Sequence, residues 1–95
     1  MTKTIARGTT PAAPIKAREA FHNNGSSFRG EPRDDGYVVY SYSTIIARST
    51  PEEGWTLTGH KYSATTSRHM SSLRQALNAL GHAFTTSPDP LPQRY

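Results

Sequence analysis

The sequence predicts a small α+β domain, an antiparallel hairpin or three-stranded sheet with one C-terminal helix packed on it and disordered N- and C-terminal arms. Three observations predict it. Residues 37–48 form an aromatic and β-branched run, residues 55–62 return with period-two alternation, and an apolar stripe at helical spacing then leads to Gly81.

Residues 1–19 mix Thr, Ala, Pro and Lys with isolated Ile5 and Ile15, so no period is sustained and the segment reads as a flexible basic arm. Phe21 and Phe28 then bracket Asn24-Gly25, a dipeptide suited to positive φ, which predicts a short strand or tight turn. Glu31 to Gly36 is a polar break. Tyr37 to Arg48 contains neither Gly nor Pro and reads as one strand. One face carries Val38, Tyr40, Tyr42, Thr44 and Ile46, and the other Tyr37, Val39, Ser41, Ser43, Ile45 and Ala47; both are partly apolar, as in a central strand. Ser49 to Gly54 has loop chemistry, and Trp55 to Tyr62 completes a hairpin.

Thr65 and Thr66 offer hydroxyl caps to a helix over residues 67–80, with Gly81 as its C′ residue. Met70, Leu73, Leu77 and Leu80 fall within about 80° of one another and form its buried stripe. Pro88, Pro90 and Pro92 favour an extended disordered tail. The expected organisation is an arm at 1–19, a domain at 20–82 and a tail at 83–95.

Composition narrows the function. With 95 residues, 10.5 kDa, 34% hydrophobic residues and a mean hydropathy of -0.68, the chain suits one domain and no large enzyme core. Zero cysteines exclude a disulfide framework, a Cys-based zinc site and a thiol nucleophile, and make the cytosol the default setting. No run approaches the roughly 18 apolar residues of a membrane span, and residues 1–14 lack the apolar core of a secretory signal. The net charge is +4; residues 1–34 hold six cations against three carboxylates, and residues 35–95 five against four. A basic arm of this kind is attracted to phosphate polyanions.

The strongest chemical candidate is Thr65-Thr66-Ser67-Arg68-His69, where a helix N-terminus, hydroxyls and a guanidinium suit an anion such as a nucleic-acid phosphate. The competing reading makes the threonines plain caps and His69 a hydrogen-bonded edge of the core. Arg74 adds a second cation to a helix without carboxylates, and Arg48 and Lys61 could contact phosphates beside Tyr37, Tyr40, Tyr42 and Tyr62 if those rings stacked bases rather than one another. The histidines lack metal-ligand spacing and the serines lack a nucleophile elbow, so no metal, cofactor or catalytic residue is expected.

Tyr37 to Ala47, followed by Lys61-Tyr62-Ser63-Ala64-Thr65-Thr66-Ser67-Arg68-His69, resembles an uncharacterised family of small domains from actinobacterial phages and haloarchaeal mobile elements. Phe21 to Gly30 is similar to that family's opening segment, and the resemblance spans about residues 20–80. It implies a mobile-element origin and a compact α+β unit, and carries no activity. The expectation is therefore a non-enzymatic phage accessory protein in the cytoplasm of an infected cell, binding nucleic acid through Thr66, Ser67, Arg68, His69, Arg74, Arg48 and Lys61. The alternative is a module that grips a bacterial host protein. The choice of DNA or RNA, and the oligomeric state, stay open.

Overall fold

The computed structural model describes residues 3–6 and 9–93. Its elements are β1 (Lys3–Thr4), α1 (Ala12–Ala17), β2 (Phe21–His22), β3 (Phe28–Arg33), β4 (Gly36–Ser41), β5 (Thr44–Thr50), β6 (Gly54–Thr58), α2 (Ala64–Ala79) and β7 (Phe84–Ser87). The strands form one seven-stranded mixed sheet in which spatial order repeats chain order. This corrects the expected hairpin or three-stranded sheet with a single helix and disordered arms.

The correction has three physical sources. The first is a fold in the middle of the expected long strand. Tyr42 takes φ 56, the left-handed conformation a two-residue hairpin turn uses, and its N–H donates to Ser27 O at 2.6 Å. Residues 37–48 therefore belong to two adjacent strands, and their two-sided apolarity is shared between them. The register slips between Val39 and Tyr40, so Ile46 and Ala47 both join the helix-side core while Ile45 joins Val38 on the opposite face.

The second source is the brevity of the end elements. β1 and β2 have two residues each and α1 six, too short for any periodicity to register. They hold through partners: Lys3 N–H donates to Ala20 O at 2.7 Å, Ile5 N–H to His22 O at 2.9 Å, and Pro14 and Ile15 are buried. The third source is the tail. Leu91 is buried against Val38 and Ile45, and Gln93 grips the backbone of Ile45, its Oε1 accepting from the N–H at 2.7 Å and its Nε2 donating to the carbonyl at 3.3 Å. One glutamine side chain thus occupies the place of a neighbouring peptide group.

α2 begins three residues earlier than the sequence suggested. Ser63 caps it, its Oγ accepting from Thr66 N–H at 3.1 Å, and neither Thr65 nor Thr66 does so. Thr66 points inward and is spent on Ser41. At the other end Gly81, φ 75, follows Leu80; its N–H donates to Asn78 O at 3.1 Å and that of His82 to Leu77 O at 2.9 Å, a Schellman closure. Met70, Leu73 and Leu77 face the sheet and join Phe21, Phe28, Val39, Ile46, Leu57 and Trp55 in the main core.

The topology decides which face remains open. β1 is parallel to β2, the pairs from β2 to β6 are antiparallel, and β6 is parallel to β7. β1 and β6 hence run in the same direction, and each crosses over, through α1 or α2, to the next strand on the same side. Right-handed crossovers of that kind set both helices on one face, where they touch. On the opposite face, among the described residues, Leu91 of the segment 88–93 covers Val38 and Ile45. No helix among the described residues is long and apolar enough to cross a membrane.

Candidate nucleic-acid interface

On the open face, β3 contributes Arg29, Glu31 and Arg33 at alternating positions, β4 contributes Val38 and Tyr40, and β5 contributes Arg48. The Arg29 guanidinium lies over the Tyr40 ring, 4.2 Å from its centroid, and Arg33 Nη2 donates to the Tyr40 hydroxyl at 3.3 Å. Glu31 Oε2 is 2.9 Å from Arg33 Nη2 and 3.6 Å from Arg29 Nη1. Burial works against the charge on Arg33, but the Tyr40 hydroxyl and Glu31 outweigh it and its pKa is raised. One carboxylate therefore lies between two arginines and cannot neutralise both.

Arg48 completes the array from the strand beyond, opposite Val38. Its Nη2 is 3.8 Å from the exposed Glu53, and its buried Nε has no partner among the described residues. The spacing follows from strand geometry: Arg29 and Arg33 are four residues apart, about 13 Å, and β5 lies about 10 Å across the sheet from β3. The Arg29 and Arg33 guanidinium groups nevertheless converge on the same Glu31 Oε2, and Arg48 stands on the strand beyond, so three cations share one face.

The seven residues singled out from sequence are not brought together. Arg48 is on the open face. Ser67, Arg68 and Arg74 are exposed on α2, across the sheet from it, and Lys61 is exposed in the loop before that helix. Thr66 is buried, its Oγ1 2.9 Å from Ser41 Oγ, and His69 is buried with Nδ1 2.8 Å from the same Ser41 Oγ. Burial holds the His69 pKa below the usual histidine value. Its ring stacks on Phe28 at 4.6 Å and 6°.

The tyrosines form no platform. Tyr37 is buried on the helix side and donates to Glu19 O at 2.6 Å, Tyr40 is on the open face, Tyr42 is at the β4–β5 turn and Tyr62 lies beside His60. Burial raises the Tyr37 phenol pKa, so that ring is structural. Sequence reasoning missed Arg29 and Arg33. The signal was present as the alternation Arg29-x-Glu31-x-Arg33, but the polarity of Glu31 to Gly36 made the segment read as a break. Within β3, β2 pairs with Arg29 and Gly30, which leaves Pro32 on a strand margin unpaired among the described residues, where its missing N–H costs nothing.

Arg68 and His69 do share a feature, a cleft of about 630 Å³ lined by α2, the β2–β3 loop and Ile5, Ala6, Thr9 and Thr10. The described lining contains no carboxylate.

No curated protein and no solved structure matches the chain. The profile of a family of unknown function, DUF8033, matches residues 9–86, from the segment before α1 into β7. The chain belongs to this family of unknown function.

Proposed function

We infer that the protein is a non-enzymatic nucleic-acid-binding protein, and that the strand it binds lies across the open sheet face. The observation that carries this reading is the arginine array around Tyr40, in which Arg29, Arg33 and Arg48 share one face with Glu31 as the carboxylate between two of them. Phosphates would displace the Glu31 pairing at Arg29 and Arg33 and the long Glu53 pairing at Arg48. Arg68 and Arg74 add field from the other side, without register. The resemblance to phage and mobile-element proteins suits the cytoplasm of an infected bacterial cell as its setting.

Fluorescence anisotropy of labelled duplex DNA, single-stranded DNA and RNA at two salt concentrations tests this. Binding is expected, with the slope of log affinity against log salt reduced by about 0.7 to 0.9 in Arg33→Ala. An unchanged slope in both Arg33→Ala and Arg48→Ala, or no binding at low salt, overturns it.

A second reading, a grip on a host protein, is favoured by β7. Among the described residues that strand pairs with β6 alone, and Thr85 and Thr86 are exposed, so its margin can accept an added strand. A host protein retained after nuclease digestion, and lost when Thr86 is replaced by Pro, supports that reading.

A further inference from the structure

The cleft beside the N-terminal half of α2 contains an unused hydrogen-bond donor in a fixed orientation. His69 is 8% exposed, and its Nε2 has no hydrogen-bond partner among the described residues while the residue lines the cleft. A chain of hydroxyls sets which nitrogen carries the proton. Ser63 Oγ donates to Thr66 Oγ1 at 3.2 Å, which leaves the Thr66 proton for Ser41 Oγ at 2.9 Å and the Ser41 proton for His69 Nδ1 at 2.8 Å. Every hydroxyl donates once in this direction, and the reverse would strand the Thr66 proton without an acceptor. Nδ1 is therefore the acceptor, and Nε2–H is the donor left for a ligand in the cleft that the residue lines. Stacking on Phe28 holds the ring in place.

The surroundings define what that donor meets. Arg68 supplies a full positive charge, Ser72 a hydroxyl, and Asn24 and Gln75 amides; Phe28 and Ile5 give the wall apolar area. A volume of about 630 Å³ falls in the range of small-molecule sites, roughly 300 to 1,000 Å³. Guanidinium, imidazole N–H and hydroxyl together match the several acceptors of a phosphate. Amides beside an apolar wall match the edge and face of a heterocyclic base.

We propose that this cleft binds a nucleoside monophosphate, its phosphate paired with Arg68 and accepting from His69 Nε2, and its base against the apolar wall at Ile5 within reach of Asn24 and Gln75. The site is on the helix side of the sheet and is independent of the arginine array on the open face. A monomeric nucleotide would thus be sensed on one face while a polymer is held on the other.

The test is a ¹⁵N NMR titration of the full chain with AMP and UMP, with inorganic phosphate and adenosine as partial ligands. In the free protein the His69 ring is expected to show protonated Nε2 and unprotonated Nδ1. On titration, signals of Phe28, Arg68 and His69 shift, a mononucleotide binds more tightly than phosphate or adenosine, and Arg68→Ala weakens binding at least about tenfold, the value of one charged hydrogen bond. Arg74→Ala, on the same helix outside the cleft, leaves binding unchanged, and so does Arg33→Ala, so this site and the open-face reading fail separately. The proposal is overturned by the opposite tautomer, by equal weakening in Arg74→Ala and Arg68→Ala, by phosphate binding as tightly as AMP, or by no shift at millimolar nucleotide.

Discussion

Ser41 Oγ and His69 Nδ1, 28 positions apart in the chain, are 2.8 Å from each other and join the last residue of β4 to the inner face of α2. With the bond between Ser41 Oγ and Thr66 Oγ1 it forms a polar point in the contact between helix and sheet, and it involves a histidine whose charged form burial disfavours.

Acid should loosen that contact. Burial lowers the His69 pKa in the folded protein, so below the ordinary value of about 6.5 the unfolded chain binds more protons than the folded one. Stability attributable to His69 is full above about pH 6.5 and is lost as pH falls through the folded-state pKa. Urea melts at about pH 7.5 and about pH 5.5 check this: the wild type loses more stability than His69→Gln between the two. An equal loss in both proteins would place the acid sensitivity elsewhere.

Arg48→Met separates stability from binding. Methionine keeps the long stem and removes a buried Nε that has no partner, a group costing about 1 to 3 kcal/mol when unsatisfied, and the lost ion pair to exposed Glu53 is worth about 0 to 1 kcal/mol. The melting temperature is expected to hold or rise while nucleic-acid affinity falls. A clear drop in melting temperature would mean that Arg48 is structural.

The two faces of the sheet have separate cores, and each has a diagnostic leucine. Leu73→Ala on the helix side and Leu91→Ala on the open side should each cost about 2 to 5 kcal/mol, toward the lower end for Leu91 because its cluster is small. Chemical denaturation measures both. A neutral Leu91→Ala would show that residues 88–93 do not seal the sheet.

Gly30→Ala should destabilise although glycine here needs no unusual φ. A Cβ would stand 2.8 Å from the rings of both Phe21 and Tyr37, buried side chains with no room to withdraw, at a cost of about 1 to 3 kcal/mol. A melting temperature equal to the wild type would show that the rings can part.

What was legible in the sequence is what repeats over several residues. The Met70, Leu73, Leu77 stripe and Gly81 located α2 and its end, and the alternation from Trp55 located β6. The turn at Tyr42 was hidden because tyrosine is a strand former placed at positive φ, and the position is held by tertiary contacts, including the Ser27 carbonyl. β1, α1 and β7 were hidden because they gain their stability from neighbours rather than from their own pattern. For the candidate site, Arg68 and His69 were singled out through the helix start, but the division of the cations between two faces follows from crossover handedness and register, which no local window contains. Arg29 and Arg33 became neighbours of Tyr40 only through the β3–β4 register.

The agreement between chain order and sheet order also has a kinetic consequence. From β2 to β6 each strand pairs with its sequence neighbours through short turns, so loop-closure entropy stays small there, while the β1–β2 and β6–β7 pairs wait for their helical crossovers. Assembly can begin at the Tyr42-Ser43 turn and spread outward one neighbour at a time. Native-state hydrogen exchange should then be slowest in β4 and β5 and fastest in β1 and β7. The open margin at β7 would be the first part of the sheet to come free, while the arginine array, carried by β3 to β5, would be among the last to disperse.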